Sequence, residues 1–314
     1  MVDIFPKSVT ELDAMFPDEE ACRVYLERLR WPDGFQCPKC ESPNGWRASR
    51  GRFVCHECRY QGTVTAGTIF QDTRKPLRLW FHAIWQVVSQ KNGASARSVQ
   101  ASLGLASYRT AWTWLHKLRR AMVLPGRALL SGEVEVDETF VGGPHPDRLG
   151  RFTNKQRVMV AAERKGSVIG RIRLACVPDT SRKSLHGFVQ QNVAVGSAVT
   201  TDGNLAYRGL QQLGYRHQQI VLQQREKNAA SNLLPSVHRV ASLLKRWLLG
   251  THHGRIGEMQ FPYYLDEFTF RFNRRKARTP GKLFHALLQQ AVREEPAPYT
   301  DLIAPNKQST TSGG

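Results

Sequence analysis

The chain has 314 residues, a length typical of about two domains, and its hydrophobic content of 41% suffices for folded cores. Its 45 Lys and Arg residues outnumber 26 Asp and Glu residues, and the net charge of +19 predicts a polyanionic partner, nucleic acid first. No apolar run reaches the roughly 18 residues that span a bilayer, and the N-terminus lacks the order of a secretory signal. We therefore expect no membrane partner and a cytoplasmic, nucleoid-associated location.

The first predicted helix begins after Pro17, carries acidic residues in its first turn and ends near Arg30. Two CxxC pairs follow, separated by fourteen residues: Cys37, Cys40, Cys55 and Cys58. Four thiolates at this spacing are typical of a tetrahedral Zn²⁺ site held by a short β-ribbon. Two disulfides are the alternative, and they would need an oxidising compartment that nothing else in the sequence indicates.

Three helices are predicted between Pro76 and about Met122, where apolar residues recur at three- and four-residue spacing. Ser95 and Ser107 are suited to cap the second and third helices, which gives a helix-turn-helix outline. The third helix carries basic residues expected to lie against a phosphate backbone or in a major groove: Arg109, Lys117, Arg119 and Arg120. A helical bundle with a solvated basic face is the alternative.

Beyond Pro125 the sequence period changes to that of strands. Strands rich in Val and Ile are predicted at 133–141, 156–163, 167–177, 197–201 and 217–222. A helix near 180–191 separates the third strand from the fourth, and helices at about 232–249 and 261–275 follow. This order predicts an α/β fold, a ribonuclease-H-like mixed sheet flanked by helices.

The first of these strands carries a row of carboxylates. Its period of two places Glu133, Glu135 and Asp137 on one face, where burial of charge costs several kcal/mol unless a divalent metal compensates it. Asp202 ends the fourth strand, which we expect beside the first, so Asp137 and Asp202 are predicted to share a metal pair. The alternative is that Asp202 supports a turn before Gly203 and that Glu135 lies exposed on an edge strand.

A third ligand is expected on the following helix, on the turn that faces the sheet edge. His238 lies there, with thirty-five residues between it and Asp202, and Lys245 follows on the same polar stripe. His238 and Lys245 could therefore contact one scissile phosphate from the same side. An ordinary hydrogen-bonded histidine is the alternative for His238. Glu226 is another candidate ligand if the preceding loop folds back.

Together these residues resemble a known family, the bacterial insertion-sequence transposases of the zinc-ribbon, Merlin-related (ISXO-like) DDE superfamily. The similarity extends over about residues 15–285. It is carried by residues 135–143, by Asp202, Gly203 and Tyr207, and by residues 237–239, 245–246, 250–254, 264–268 and 271–275.

The resemblance implies a DNA transposase whose acidic triad binds two Mg²⁺ ions. When the family's motif is matched to this sequence, Asp137 and Asp202 are the first two ligands, and Lys245 is the basic residue that follows the third ligand. His238 stands where the family usually has Glu, and imidazole suits Mn²⁺ better than Mg²⁺, so we expect Mg²⁺ or Mn²⁺. Three arginines near the end of the similarity are expected to track the DNA backbone: Arg271, Arg274 and Arg275.

The partners that the resemblance implies are double-stranded DNA, as terminal inverted repeats and as target, and further copies of the chain. The ribbon and the helix-turn-helix would bind the repeats, and two ends must be brought together, so we expect a homodimer or a larger assembly on DNA.

Four segments are predicted: an N-terminal helix and zinc ribbon (1–70), a helix-turn-helix DNA-binding domain (71–125), a ribonuclease-H-like DDE-type catalytic domain (126–290) and a disordered tail (291–314). Two other functions stay open. One is a DNA-binding regulator with an inactive nuclease domain, and the other is a structure-specific nuclease that cuts without joining.

Overall fold

A computed structural model of the chain describes residues 5–123, 126–142, 155–220, 234–252 and 256–303. The chain divides into two compact units, one formed by 1–124 together with 276–314 and the other by 125–275. This division differs from the predicted segments, because the ribbon, the helix-turn-helix and the C-terminal residues belong to one unit. Among the described residues, no helix is long and apolar enough to cross a membrane.

The first unit begins with helices α1 (Val9–Met15) and α2 (Glu19–Arg30). The Asp18 side chain accepts a hydrogen bond from the Ala21 N–H, which starts α2 where the acidic residues predicted it. An antiparallel ribbon of β1 (Gly45–Ala48), β2 (Arg52–Cys55) and β3 (Gln61–Thr63) follows. Helix α1 was not predicted.

Helices α3 (Leu77–Ser89), α4 (Ala96–Ser102) and α5 (Tyr108–Arg120) complete the helix-turn-helix outline. Both predicted caps are confirmed. Ser95 forms a capping box with Ser98, and the Ser107 side chain accepts from the Arg109 N–H. Helices α4 and α5 therefore begin where short polar side chains satisfy first-turn amides, whereas α3 begins directly after Pro76.

The C-terminal residues of this unit are more ordered than the sequence suggested. Helix α9 (Pro280–Ala291) packs on α3 and α2, with buried Phe284 against the rings of Phe16 and Phe81. A short helix α10 (Tyr299–Ile303) buries Leu302. The predicted disordered tail therefore includes residues with a packed structure up to 303, because a few apolar side chains find cover in the helical unit. Residues 304–314 lie outside the described residues.

The second unit is built on five strands in the order β6-β5-β4-β7-β8. They are β4 (Glu133–Val141), β5 (Gln156–Lys165), β6 (Val168–Cys176), β7 (Ala198–Thr201) and β8 (Arg216–Gln219). Strand β5 is antiparallel to both of its neighbours, and β7 and β8 run parallel to β4. This is the strand order of the predicted ribonuclease-H-like sheet, and β4 is its central strand.

Helices cover both faces of the sheet. One face packs on α7 (Pro235–His252) and α8 (Phe261–Asn273), through side chains such as Val160, Val240 and Phe268. The other packs on α6 (Arg182–Asn192) through Val136 and Leu185. Asp137 pairs with Val160 across β4 and β5, so Asp137 lies on the face that α7 covers.

Candidate active site and zinc centre

The four cysteines of the two CxxC pairs meet in the ribbon. The sulfur atoms of Cys37 and Cys58 are 3.6 Å apart, those of Cys40 and Cys55 are 3.6 Å apart, and all four lie within 4.8 Å of one another. Zn–S bonds of about 2.3 Å require tetrahedron edges of about 3.8 Å, whereas disulfide sulfurs lie about 2.05 Å apart. The four thiols therefore fit a structural Zn²⁺ and are too far apart for disulfides.

Both cysteine pairs sit in the same kind of turn. Glu41 and Arg59, each directly after the second cysteine of its pair, adopt left-handed backbone angles with φ of 59° and 55°. The Cys37 carbonyl accepts from the Glu41 N–H, and the Cys55 N–H donates to the Tyr60 carbonyl. These turns bring the two thiols of each pair to one side of the chain.

Two aspartates that are distant in the sequence come together where strand β7 ends beside the middle of β4. The register of β4 and β7 pairs Glu135 with Thr200, and the same offset continues to Asp137 and Asp202. Carboxylate oxygens of Asp137, Glu138 and Asp202 all lie within 4.8 Å of one another. The expected meeting of the two aspartates is observed, and Asp202 belongs to this acidic cluster.

Glu138 is a member of this cluster that the sequence reasoning missed. Strand alternation sends it to the face opposite Asp137, yet its carboxylate accepts from the Tyr207 hydroxyl at 2.8 Å and from Asn204 Nδ2 at 3.1 Å. The Asn204 N–H in turn donates to Asp202 Oδ1 at 3.0 Å. Glu138 thereby ties the loop after β7 to β4. Its place directly after Asp137 in the sequence was the available signal.

The cluster concentrates negative charge. Burial, together with the charges of Glu138 and Asp202, raises the pKa of Asp137 to about 7. Burial and the Glu138 carboxylate also raise the pKa of Tyr207 far above its ordinary value, so Tyr207 stays a hydroxyl donor. A divalent cation would offset the repulsion among the three carboxylates, and an all-oxygen donor set fits Mg²⁺ or Mn²⁺.

His238 and Lys245 line the same cavity as Asp137 and Glu138, a space of about 330 Å³ that Lys155 also borders. His238 is half-buried and Lys245 is exposed, and both project from α7. The structure thus brings the two helix residues to the acidic cluster. Glu226 lies outside the described residues.

The expected row of carboxylates on β4 divides into three environments. Glu133 is exposed, whereas Asp137 belongs to the acidic cluster. Glu135 is only 1% exposed and accepts hydrogen bonds from Ser236 and Val237 at the start of α7. Because β4 is central, the alternative of an exposed Glu135 on an edge strand does not hold.

Two of the four basic residues predicted to meet DNA on α5 are turned inward. Arg119 is 1% exposed and lies beside His116, because this side of the helix faces the bundle. Lys117 is half-buried and donates to the Ile69 carbonyl at 3.1 Å. In this structure the Arg119 guanidinium is therefore not placed to contact a phosphate.

The other two basic residues of α5 face the C-terminal residues of the same unit. The guanidinium of exposed Arg109 lies 4.8 Å from the ring centre of Tyr299. Arg120 lies 3.9 Å from a carboxylate oxygen of Glu294. A DNA contact by either arginine stays a prediction.

The three arginines near the end of α8 take part in packing. Arg274 lies over the Phe270 ring at 4.0 Å, and Arg275 lies over the Phe272 ring at 3.9 Å. Arg275 also donates to the carbonyls of Ile169 and Gly170 on the edge strand β6. Arg271 is half-buried near Glu267. These contacts cover a sheet edge, and a role in tracking DNA stays a prediction.

The strand order, the acidic cluster and the cysteine ribbon together define a zinc-ribbon protein with a ribonuclease-H-like domain. Residues 129–273 match the family described as the ISXO2-like transposase domain, and residues 17–61 match the transposase zinc-ribbon domain. The chain therefore belongs to the zinc-ribbon transposases of the ISXO2-like family, as the sequence resemblance implied.

One relative is an uncharacterized protein in transposable element ISH50 of Halobacterium salinarum. It is 27% identical over 298 residues, which cover 85% of this chain and 94% of the relative. Two solved structures show distant likeness. The catalytic core of BIV integrase is 14% identical with a TM-score of 0.31, covering 49% of this chain and 94% of its own. A simian T-cell lymphotropic virus intasome, solved with PP2A regulatory subunit B56 gamma, is 15% identical with a TM-score of 0.31. The match covers 59% of this chain and 70% of the matched chain.

Proposed function

We propose that this protein is the DNA transposase of an insertion sequence, which binds terminal inverted repeats and carries out metal-dependent DNA cleavage and strand transfer. The observation that carries the proposal is the convergence of Asp137, Asp202, His238 and Lys245 in a transposase-family domain. Carboxylates, an imidazole and an ammonium around one open cavity suit phosphoryl transfer at a DNA backbone.

Asp137 and Asp202 would hold the divalent cations, with Glu138 beside them. Mg²⁺ or Mn²⁺ bound there supplies Lewis acidity for the attacking and the leaving oxygen. Lys245 presents a compact ammonium to the phosphate next to the scissile bond. His238 either completes the ligand set or accepts the proton of the attacking water or 3′-hydroxyl.

In the cleavage step, a water oxygen attacks the phosphorus, the bond to the 3′-oxygen breaks, and that oxygen leaves as a 3′-hydroxyl after taking up a proton. In the joining step, the freed 3′-hydroxyl loses its proton and forms the new bond to a target phosphorus, while the bond to a target 3′-oxygen breaks and that oxygen takes up a proton. Each step forms one P–O bond and breaks another, so neither needs an energy source from outside.

Charge supports double-stranded DNA as the partner. A net charge of +19 favours a polyanion, because neutralised phosphates release their counterions. The four cysteines would hold Zn²⁺ in the ribbon, where a structural metal would stabilise a DNA-binding element. Two ends must be held at once, so a homodimer or a larger assembly on DNA is part of the proposal.

A strand-transfer assay tests the proposal. The substrate is duplex DNA ending in the inverted repeats that flank the coding region, with Mg²⁺ or Mn²⁺ and a target plasmid. We expect joined products from the natural protein and none from Asp137→Ala or Asp202→Ala. Binding without cleavage would instead show a regulator, and cleavage without joined product would show a nuclease.

A further inference from the structure

Glu135 is a buried carboxylate that stands two residues before Asp137 but is not part of the acidic cluster. Its side chain is 1% exposed, and Arg164 approaches one of its oxygens at 3.5 Å. A carboxylate buried in this way is costly unless hydrogen bonds satisfy its oxygens. The donors that satisfy them come from the start of α7.

The first turn of α7 has two backbone amides for which Glu135 is the acceptor. The first i to i+4 bond of the helix runs from the His238 N–H to the Leu234 carbonyl, so the earlier amides have no acceptor within the helix. Pro235 has no N–H to satisfy. Glu135 Oε2 accepts from the N–H groups of Ser236 at 2.8 Å and Val237 at 3.1 Å.

The second carboxylate oxygen is used as well. The Ser236 hydroxyl donates to Glu135 Oε1 at 3.1 Å. A negative charge at this position also complements the positive end of the helix dipole. The carboxylate thus receives three hydrogen bonds from two consecutive residues, which fixes the position and the direction of the start of the helix.

The same strand therefore carries a cluster aspartate and the anchor of the facing helix. Glu135 and Asp137 lie on one face of β4, about 6.6 Å apart along the strand. His238 directly follows the anchored Val237, and Lys245 lies two turns further along the helix. A shift of the anchor would move both side chains relative to Asp137.

We propose that Glu135 is a positioning residue for phosphoryl transfer, because it fixes α7 on β4 and so sets His238 and Lys245 against Asp137. This inference rests on the proposed function of the cavity. A glutamine is isosteric but neutral, so it loses the charge that complements the helix dipole, and its amide group would face either the two helix N–H groups or the Arg164 guanidinium beside Oε1. The negative charge is therefore the property that glutamine cannot supply.

The first test compares Glu135→Gln with Glu133→Gln, a matched change on the same strand at an exposed position. In Glu135→Gln, hydrogen exchange at the Ser236 and Val237 amides should become faster, while amides in α8 keep their protection. Metal-dependent cleavage should fall by about 10- to 100-fold, since displacements near 1 Å have effects of this size. Glu133→Gln should leave both measurements within about twofold of the natural protein, because ordinary surface substitutions have small effects.

A double-mutant cycle separates positioning from general stability. If Glu135 acts through His238 and Lys245, then the fold-loss caused by Glu135→Gln should shrink when His238→Ala or Lys245→Ala is already present, because coupled effects are not additive. An equal fold-loss in the natural, His238→Ala and Lys245→Ala backgrounds would overturn the inference, and so would unchanged exchange at Ser236 and Val237.

A milder variant keeps the test decisive if Glu135→Gln does not fold. Ser236→Ala removes the hydroxyl bond to Glu135, one of the three hydrogen bonds, and we expect a several-fold loss of cleavage with faster exchange of the backbone amides at positions 236 and 237. Unchanged cleavage and exchange in that variant would also overturn the inference. If the natural protein neither cleaves nor joins DNA, the proposed function fails, while the exchange measurement still decides whether Glu135 anchors α7.

Discussion

The zinc centre and the acidic site differ in how far apart along the chain their side chains lie. The four cysteines fall within residues 37–58, and three short strands with two similar turns are enough to bring them together. In the acidic site, Asp202 lies 65 positions beyond Asp137, and only the parallel pairing of β4 and β7 joins them. A local site can be recognised from spacing, whereas a site across parallel strands requires the topology.

The two sites also differ in whether the protein would leave coordination positions of the metal open. Four thiolates fill a tetrahedral coordination shell, which is the arrangement of a structural metal. Three clustered carboxylates beside a cavity leave positions for substrate oxygens. The ribbon is therefore expected to lose its fold without its metal, and the ribonuclease-H-like unit is expected to lose only its chemistry.

The largest expected effect is the loss of the zinc centre. Cys55→Ser removes one thiolate, and structural zinc sites contribute apparent binding free energies of about 10 to 16 kcal/mol in small peptides. We expect no bound zinc by elemental analysis and unprotected ribbon amides by hydrogen exchange. Cys176→Ser, at a cysteine outside the cluster, should keep its zinc. A Cys55→Ser protein with a protected ribbon would contradict this difference between the sites.

The second effect concerns the acidic site alone. Asp137→Asn should lower metal-dependent cleavage by about a thousandfold, since loss of several kcal/mol of transition-state stabilisation has this effect on rate. The fold should persist, and zinc content should match that of the natural protein. Loss of the ribbon in this variant would show that the two sites are not independent.

The third effect is a pH dependence of the metal-free protein. The pKa of Asp137 is raised to about 7 by burial and neighbouring carboxylates, so the folded state keeps a proton that the unfolded state has lost. This contribution to stability is complete below pH 3.8 and disappears as the pH rises through about 7.

The size of this pH effect can be isolated by difference. Burial raises the pKa of Asp266 to about 7 as well, although Arg127 opposes the shift, so the natural protein titrates at both groups in this window. The natural protein should lose free energy of unfolding between pH 4 and pH 8. In Asp137→Asn this loss should be smaller by about 2 to 4 kcal/mol. Denaturant titrations without added Mg²⁺ or Mn²⁺, with the ribbon zinc kept in place, measure it, and identical pH profiles for both proteins would contradict it.

The smallest effect tests the bond between Tyr207 and Glu138. Tyr207→Phe removes the 2.8 Å hydrogen bond and should destabilise the protein by about 1 to 2 kcal/mol. Cleavage should fall only several-fold, because Asn204 still holds Glu138. Thermal unfolding and single-turnover cleavage measure the two changes. A loss of cleavage as large as that of Asp137→Asn would mean that Tyr207 has a direct role.

Much of the fold was predictable because its signals are local. Ser95 and Ser107 begin helices by capping them, and the strand periods located β4 to β7 closely. Helix α9 was missed although Phe284, Leu287 and Leu288 recur at helical spacing. The five-residue helix α10 has one buried apolar side chain, Leu302, and its sequence alone carries no periodic signal.

The environment of the basic residues was also not predictable from the sequence alone. A count of charge cannot distinguish a guanidinium in solvent from one that packs on a ring, so Arg119 and Arg274 were indistinguishable from surface cations in the sequence. The strong excess of positive charge predicted a polyanionic partner, but it did not identify which side chains are available to that partner.

The sequence by itself predicted the four cysteines as zinc ligands, the succession of strands along the chain and the two aspartates as candidates, because spacing and periodicity follow from local backbone geometry. Only the tertiary structure decided that Glu135 anchors a helix while Asp137 joins the acidic cluster, and that Glu138 belongs to that cluster. These three carboxylates lie within four residues of one strand, and their neighbours, not their own chemistry, give them different roles.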